Sequence, residues 1–175
     1  MYNHTLAQFT YFKLKMRTVL FEEGMFAFDP LFIDHFSPTN AIATCYMVCN
    51  EKVLLLKRED GAILGNRWCM AGGKLEKNET PLQAVIREVA EEVGIILLPE
   101  QVAFIQTIYI RIFASKQDYI LHLFKAVFSG SEPSDYKVTL NQEHTDYLWV
   151  DLQAAKQLNL IPGGYEVLEY MQHHH

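Results

Sequence analysis

The sequence has few cysteines, no long apolar run and no excess of basic residues. Among its 175 residues there are 3 cysteines, and the formal net charge is −6. No apolar run approaches the ~20 residues of a membrane-spanning helix, so we expect no membrane partner. An acidic chain without a basic patch argues against a nucleic-acid polymer as the main partner. The length fits one compact domain with a sizeable core.

The cysteines argue against a disulfide framework and against a structural zinc site. Cys45, Cys49 and Cys69 are odd in number and lack zinc-like spacing. Cys45 and Cys49 are expected on one strand, where four residues span roughly 13 Å, too far for a disulfide. The N-terminus shows no signal-peptide pattern. Together these features predict buried thiols and a cytoplasmic location.

Hydrophobic patterning divides the chain into a leading extension and a strand-rich domain. Residues 1–38 are predicted as an added strand, a dimer arm or a flap, with alternation over Phe9–Met16 and a short helix near Leu31–Phe36. The domain covers residues 39–172, and residues 173–175 resemble the remnant of a purification tag. The predicted strands are Ala41–Cys49, Lys52–Lys57, Arg67–Ala71, Val102–Ala114, Asp118–Phe128 and Thr145–Val150.

One helix lies between these strands, and two more are expected near the C-terminal end. Thr80 is a suitable N-cap, Pro81 suits the first helical position, and Gly94 can end the helix in the left-handed conformation. Asp151 is a plausible N-cap for a helix through Leu158, and Tyr165–Gln172 is predicted as the last helix. Strands around a central helix predict an α/β fold with a mixed sheet covered on both faces.

Three carboxylates emerge together on one face of the central helix. Glu88, Glu91 and Glu92 stand at positions i, i+3 and i+4. Like charges in this arrangement repel, and the helix dipole disfavours negative charge near the C-terminus. A bound Mg²⁺ or Mn²⁺ would offset the repulsion, because hard cations prefer oxygen ligands. A solvated acidic face is the alternative, but it does not account for the glycines Gly72 and Gly73 before the helix.

The segment Gly73–Ile95, GKLEKNETPLQAVIREVAEEVGI, fills every fixed position of the pattern G-x5-E-x7-R-E-U-x-E-E-x-G-U, where U is aliphatic. It therefore resembles the Nudix box. Weaker similarity covers roughly residues 41–152, since Arg67–Gly73 resembles the family's W-x-x-P-G-G lead-in with Ala71 in place of proline. The pair Glu143-His144 is similar to the E-H segment found further along such chains. The resemblance implies a Nudix-type α/β/α sandwich.

The resemblance also implies a pyrophosphohydrolase, in which water attacks one phosphorus of a nucleoside diphosphate linked to another moiety. Mg²⁺ (or Mn²⁺) is the implied cofactor. The implied metal ligands are Gly72, through its carbonyl, Glu88, Glu91 and Glu92. The implied catalytic residues are Glu88, Glu91, Glu92 and Glu143, and the choice of general base stays open. The residues that resemble the family's structural support are Gly73, Glu79 and Arg87, the last two as an ion pair.

Substrate recognition is less sharply predicted. Arg58 is a candidate phosphate contact and Trp68 a candidate platform for a base, although an exposed arginine and a core tryptophan are the plainer interpretations. His122 is expected as a core or lining histidine. A small-molecule nucleotide is the expected partner, with a (d)NTP or oxidised (d)NTP favoured. A nucleotide sugar, a dinucleoside polyphosphate, a non-hydrolytic regulator and a diphosphate isomerase are the alternatives, and a homodimer is left open.

Overall fold

The computed structural model describes residues 18–130 and 132–174, so the alternating segment Phe9–Met16 lies outside the described residues. Within them, nine strands form one mixed sheet in the order β1-β2-β7-β8-β3-β4-β5, with β6 beside β3 and β9 beside β4. The long neighbours β3 and β8 run parallel. The strands are β1 Thr18–Phe21, β2 Gly24–Ala27, β3 Pro38–Cys49, β4 Lys52–Arg58, β5 Trp68–Cys69, β6 Ala71–Lys74, β7 Val102–Ile112, β8 Gln117–Phe128 and β9 His144–Val150.

The central helix, α1, spans Pro81–Val93 as the capping residues predict. The Thr80 hydroxyl accepts a hydrogen bond from the backbone N–H of Gln83, and the Gln83 side chain accepts one from the backbone N–H of Thr80. This capping box satisfies two donors that the first turn leaves unpaired. At the other end Gly94 has φ 71°, the left-handed conformation expected of a terminating glycine. Local sequence therefore accounts for both ends of α1.

Two other predicted helices are shorter than expected. Helix α2 covers Leu152–Ala155 and does not continue to Leu158. The reason is a contact distant in sequence: the backbone of Trp68 hydrogen-bonds to the Asn159 carbonyl and to the Ile161 N–H, which draws this stretch out of helical geometry. The helix expected near Leu31–Phe36 is a single 3-10 turn at Pro30–Phe32.

The last helix, α3, spans Gly164–Gln172 and covers the sheet face opposite α1. Two 3-10 turns, Pro99–Gln101 and Pro133–Asp135, precede and follow the long hairpin formed by β7 and β8. The predicted strand over Arg67–Ala71 is divided at Met70 into β5 and β6. No helix of the described chain has both the length and the apolarity needed to cross a membrane.

A buried apolar cluster fills each side of the sheet, which confirms the α/β/α sandwich. The core under α1 combines helix residues with inward-facing residues of β3, β4, β6, β7 and β8. The second core lies under α3 and includes residues of β2, β3, β4, β7 and β8. The fully buried members of the first core are Ala43, Cys45, Met47, Leu56, Ala84, Val85, Val89 and Val93. Those of the second are Leu55, Ile108, Leu123, Ala155 and Met171.

Residues 18–27 extend the sheet as an added hairpin. Strand β2 pairs antiparallel with the edge of β7, with Ala27 opposite Tyr109 and Gly24 opposite Ile112. A Cβ at Gly24 would lie 2.2 Å from the Arg111 carbonyl oxygen, so a glycine is needed for this close approach. The described part of the leading segment therefore forms two added strands, and its role as a dimer arm or a flap stays a prediction. The domain boundary near residue 38 stays a prediction.

Candidate active site

Strand β6 places the backbone of Gly73 directly against a carboxylate of α1. A Cβ at Gly73 would lie 2.3 Å from Oε1 of Glu88, a distance that real Cβ atoms do not reach. The absence of a side chain at Gly73 therefore creates the space in which the Glu88 carboxylate lies. Burial raises the pKa of Glu88, against the opposing hydrogen bond and charge of Arg87.

Glu92, one helical turn further on, is almost completely buried. Its Oε2 accepts a hydrogen bond from the backbone N–H of Gly72 at 2.8 Å, and its side chain is 3% exposed. Burial, reinforced by the charges of Glu88 and Glu143, raises the pKa of Glu92 to about 8 against the opposing Gly72 hydrogen bond. Gly72 itself has φ +148°, which side chains rarely adopt, and a Cβ there would lie 2.3 Å from the Ala43 carbonyl oxygen.

Arg87 holds the loop and the helix face together. Its Nε and Nη2 donate to the two carboxylate oxygens of Glu79 at 2.8 and 2.9 Å, which confirms the predicted pair. Its Nη1 also donates to Glu88 Oε1 at 2.8 Å and to Glu91 Oε2 at 3.2 Å, and Nη2 donates to the Lys74 carbonyl at 3.2 Å. The same guanidinium thus orients two of the three helix glutamates, a role that spacing alone did not show.

Asn141 and His144, just before and at the start of β9, supply a second set of contacts to Glu92. His144 Nε2 lies 3.7 Å from Glu92 Oε1, while its Nδ1 is 3.3 Å from Oδ1 of Asn141. Asn141 also donates its backbone N–H to the Glu92 carbonyl at 3.2 Å. Burial, with the charge of Arg58, lowers the pKa of His144 to about 4, so its imidazole is neutral at pH 7. Asn141 carried no recognisable signal in the sequence, whereas His144 stood beside a predicted residue.

The exposed residue Glu143 lies at the rim of this arrangement. Its backbone N–H donates to Asn141 Oδ1 at 3.0 Å, and its carbonyl accepts from the Glu59 N–H at 2.8 Å. Its charge helps to raise the pKa values of Glu88 and Glu92, so the structure brings it to the helix carboxylates. We refer to Glu88, Glu91, Glu92 and Glu143 as the carboxylate cluster.

Residues 38–171 match the NUDIX domain family. The chain belongs to the Nudix family. Dihydroneopterin triphosphate diphosphatase of Escherichia coli K12 is 29% identical over 131 residues, covering 69% of this chain and 83% of that protein. Nucleoside triphosphatase NudI of Enterobacter sp. 638 is 29% identical over 124 residues, covering 66% and 85%.

The fold of a MutT protein from Methanosarcina mazei Go1 superimposes with a TM-score of 0.60 at 21% identity, covering 78% of this chain and 97% of that one. The family match and the named hydrolases confirm that the chain is a Nudix pyrophosphohydrolase.

The helix carboxylates of this Nudix domain offer the donors that a hard divalent cation needs. Each has one oxygen engaged: Glu88 and Glu91 by Arg87, and Glu92 by the Gly72 N–H. The remaining oxygens have no hydrogen-bond partner among the described residues, and burial raises the pKa values of two of the glutamates, Glu88 and Glu92. Carboxylate oxygens of this kind suit Mg²⁺ or Mn²⁺.

The side chains are not already arranged as a closed cage. In the part of the chain that the structure describes, no group of three or more His, Cys, Asp or Glu side chains is positioned to hold a metal ion. Mg²⁺ is commonly held by one or two carboxylates together with waters and substrate phosphates, so an open donor set is compatible with it. The Gly72 carbonyl as a further ligand stays a prediction.

The two predicted substrate contacts lie in different surroundings. The charge of Arg58 acts on Glu92, and its Nε donates to the Ile63 carbonyl at 2.9 Å, so Arg58 lies beside the carboxylate cluster. Trp68 is 8% exposed and packs in the second core. This placement agrees with the plainer interpretation of Trp68, and its role as a platform for a base is still only a prediction.

The cysteines are buried and free, as expected. Cys69 lies nearest the site, with its Sγ 4.0 Å from His144 Nε2. Burial raises the pKa of the Cys69 thiol to about 11, so the thiol is uncharged at pH 7 and a poor nucleophile.

Proposed function

We propose that the protein is a Mg²⁺-dependent pyrophosphohydrolase of a nucleoside triphosphate or a chemically related triphosphate. The observation that carries the proposal is the buried carboxylate of Glu92, held by the Gly72 N–H beside Glu88, with its pKa raised to about 8. Burial without a paired arginine or lysine disfavours the charged form of Glu92, and a bound divalent cation would compensate for that cost. Two relatives at 29% identity are named for hydrolysis of triphosphates, which supports this substrate class.

Glu88, Glu91 and Glu92 would hold the metal ion. When bound, such an ion neutralises phosphate oxygens and lowers the pKa of coordinated water. The chain's own residues perform the remaining tasks. Gly73 lets Glu88 approach the backbone, Arg87 orients Glu88 and Glu91, and the neutral His144 lies against Glu92.

The rim of the site supplies the groups that meet the substrate. Arg58 is a second cation near the carboxylate cluster, in addition to Arg87, and it is suited to a phosphate oxygen because a guanidinium matches phosphate geometry. Glu143 is exposed and near the helix carboxylates, so it is suited to accept a proton from the attacking water. General-base assistance of this kind typically contributes ~10²–10⁴-fold.

The alternatives differ in the group attached to the diphosphate. A nucleotide sugar or a dinucleoside polyphosphate would use the same carboxylates, but its second group would contact other residues at the edge of the site. A non-hydrolytic regulator would have no need of the complete Arg87 network with its contacts to Glu79, Glu88 and Glu91. The intact network favours the hydrolase.

The test is a hydrolysis screen with Mg²⁺ over nucleoside triphosphates, oxidised dGTP, dihydroneopterin triphosphate, nucleotide sugars, ADP-ribose and dinucleoside polyphosphates. We expect a triphosphate to be cleaved to a monophosphate or diphosphate, identified by chromatography. The reaction should stop without Mg²⁺ and in Glu92→Gln, and it should persist in the exposed control Glu100→Gln. Hydrolysis of nucleotide sugars alone would show that the proposed substrate class is wrong. No hydrolysis of any compound by folded, metal-binding protein would favour a regulator.

A further inference from the structure

A second concave surface lies between the N-terminal turn of α1 and the strands β7 and β8. Its volume is about 390 Å³, within the ~300–1,000 Å³ range of small-molecule pockets. We call it the α1 groove. It is lined by Thr80, Pro81, Leu82, Val102, Phe104, Thr107, His122 and Phe124.

Helix α1 separates this groove from the carboxylate cluster. Strand register places Thr107, His122, Ala43 and Gly73 side by side across β7, β8, β3 and β6. Gly73 lies under the Glu88 carboxylate, and Ala43 is fully buried in the core beneath α1. The groove and the carboxylates therefore occupy opposite flanks of one helix, and a molecule in the groove would not block the nucleotide site.

The lining of the groove selects against charge. None of its eight residues is acidic or a lysine or arginine, so it offers no charged side chain to pair with a phosphate or a carboxylate. Its walls are mainly prolyl, aliphatic and phenyl groups, which favour an apolar ligand. The ring of Phe104 is 58% exposed and meets Phe124 edge-on, with ring centroids 5.5 Å apart.

Two polar groups converge within these apolar walls. Thr107 Oγ1 lies 2.9 Å from Nδ1 of His122, so hydroxyl and imidazole are hydrogen-bonded to each other. Burial lowers the pKa of His122, which keeps the ring neutral at pH 7, with one donor and one acceptor nitrogen. Its Nε2 has no hydrogen-bond partner among the described residues and is the nitrogen left for a ligand.

We propose that the α1 groove binds a neutral, planar heteroaromatic molecule. The ring of the ligand would pack against Phe104 and the aliphatic wall, and its polar edge would hydrogen-bond to His122 and Thr107. This chemistry differs from that of the carboxylate cluster, which is built for cations and phosphates.

The experiment uses benzimidazole, which is neutral at neutral pH, as the probe and benzimidazole-5-carboxylate as its charged counterpart. Full-length protein is titrated with each compound in the millimolar range while NMR follows the backbone amides and the His122 ring. We expect saturable shifts at His122 and Thr107, and binding of the carboxylate weaker by about tenfold or more. Glu92→Gln should bind benzimidazole as the wild type does.

Three variants locate the site. Phe104→Ala should weaken benzimidazole binding by about fivefold, because it removes the exposed aromatic wall. Thr107→Val keeps the shape but loses the hydrogen bond that orients His122, and a similar loss is expected. Phe113→Ala is the matched control, since Phe113 is a comparably exposed phenylalanine outside the groove, at 48%. It should bind normally.

The proposal is overturned if no saturable shift occurs, if Phe104→Ala and Thr107→Val both bind like the wild type, or if the shifts map to the carboxylate cluster. Shifts at groove residues that grow with protein concentration alone would show that a second copy covers the surface, and would also overturn it.

Discussion

Glu92 and Asp118 are carboxylates with equally low solvent exposure, but they lie in opposite electrostatic situations. Each side chain is 3% exposed. Arg111 donates two hydrogen bonds of 2.7 Å to Asp118, and together with a third from the Ser37 N–H they lower its pKa. Glu92 has one backbone donor, and burial raises its pKa to about 8. Asp118 is paired with an arginine of the chain, whereas the one hydrogen bond to the Glu92 carboxylate among the described residues comes from a backbone N–H. We propose that this difference separates a structural ion pair from a metal-binding carboxylate.

The sharpest test of this difference compares turnover in amide variants of the two carboxylates. Glu92→Gln should reduce kcat by about 10³-fold, because it removes a charge that the metal ion needs. The fold should survive, since a glutamine carbonyl can still accept the Gly72 hydrogen bond. Asp118→Asn should turn over normally where it remains folded. Steady-state kinetics with Mg²⁺ checks both, and near-normal turnover in Glu92→Gln would contradict the metal assignment.

The complementary effect is on stability. Asp118→Asn should lower the free energy of unfolding by about 2–3 kcal/mol, a value reduced from that of a fully buried pair because Arg111 is 24% exposed. Losing the ion pair should also weaken the contact to residues 34–37, because Asp118 orients the Arg111 side chain that donates to the Asp34 carbonyl at 2.7 Å. Urea unfolding gives the measurement. Asp146→Asn, at an exposed position of β9, should change stability little.

Gly73→Ala should affect activity more than stability. The new methyl group would meet Glu88 Oε1, which belongs to a flexible side chain and can move aside. Displacing it should reduce kcat by about 10–100-fold, as expected when the support of a metal ligand is lost. Kinetics and thermal unfolding on the same preparation separate the two effects. Full turnover would mean that Glu88 does not need its position over Gly73.

The smallest effect is the pH dependence of the Asp118 contribution. Because the native pKa of Asp118 is below its ordinary value of 3.8, the unfolded chain binds more protons there. The stabilisation is therefore complete above that ordinary value and is lost as pH falls through the native pKa. The difference in unfolding free energy between wild type and Asp118→Asn should shrink on acidification. A difference that stays constant down to the acid transition would assign the stabilisation to packing.

The parts of the structure that the sequence predicted correctly are those encoded locally. Thr80, Pro81 and Gly94 determine where α1 begins and ends through contacts within one helical turn. The resemblance to the Nudix box correctly predicted the ion pair between Glu79 and Arg87. Asn50 and Glu51, the two residues between the predicted strands Ala41–Cys49 and Lys52–Lys57, both adopt the positive φ of a two-residue hairpin turn.

Contacts distant in sequence account for the features that were missed. Helix α2 ends early because Trp68, more than eighty residues away, pairs with the segment after it. The contact between Asn141 and Glu92 and the pairing of β2 with β7 form only in the folded sheet. Neither contact produces a periodic pattern in the sequence from which it could be predicted. The sequence therefore indicated the face of α1 that carries the carboxylates, but it did not indicate the contact that Asn141, just before β9, makes to Glu92.

Calorimetric titration of Mn²⁺ into wild type, Glu92→Gln and Asp118→Asn asks whether the buried glutamate is a metal ligand. We predict binding to the wild type and to folded Asp118→Asn, and no detectable binding to Glu92→Gln. Equal binding by the wild type and Glu92→Gln would show that the buried carboxylate is not part of a metal site, and the contrast drawn between Glu92 and Asp118 would be wrong.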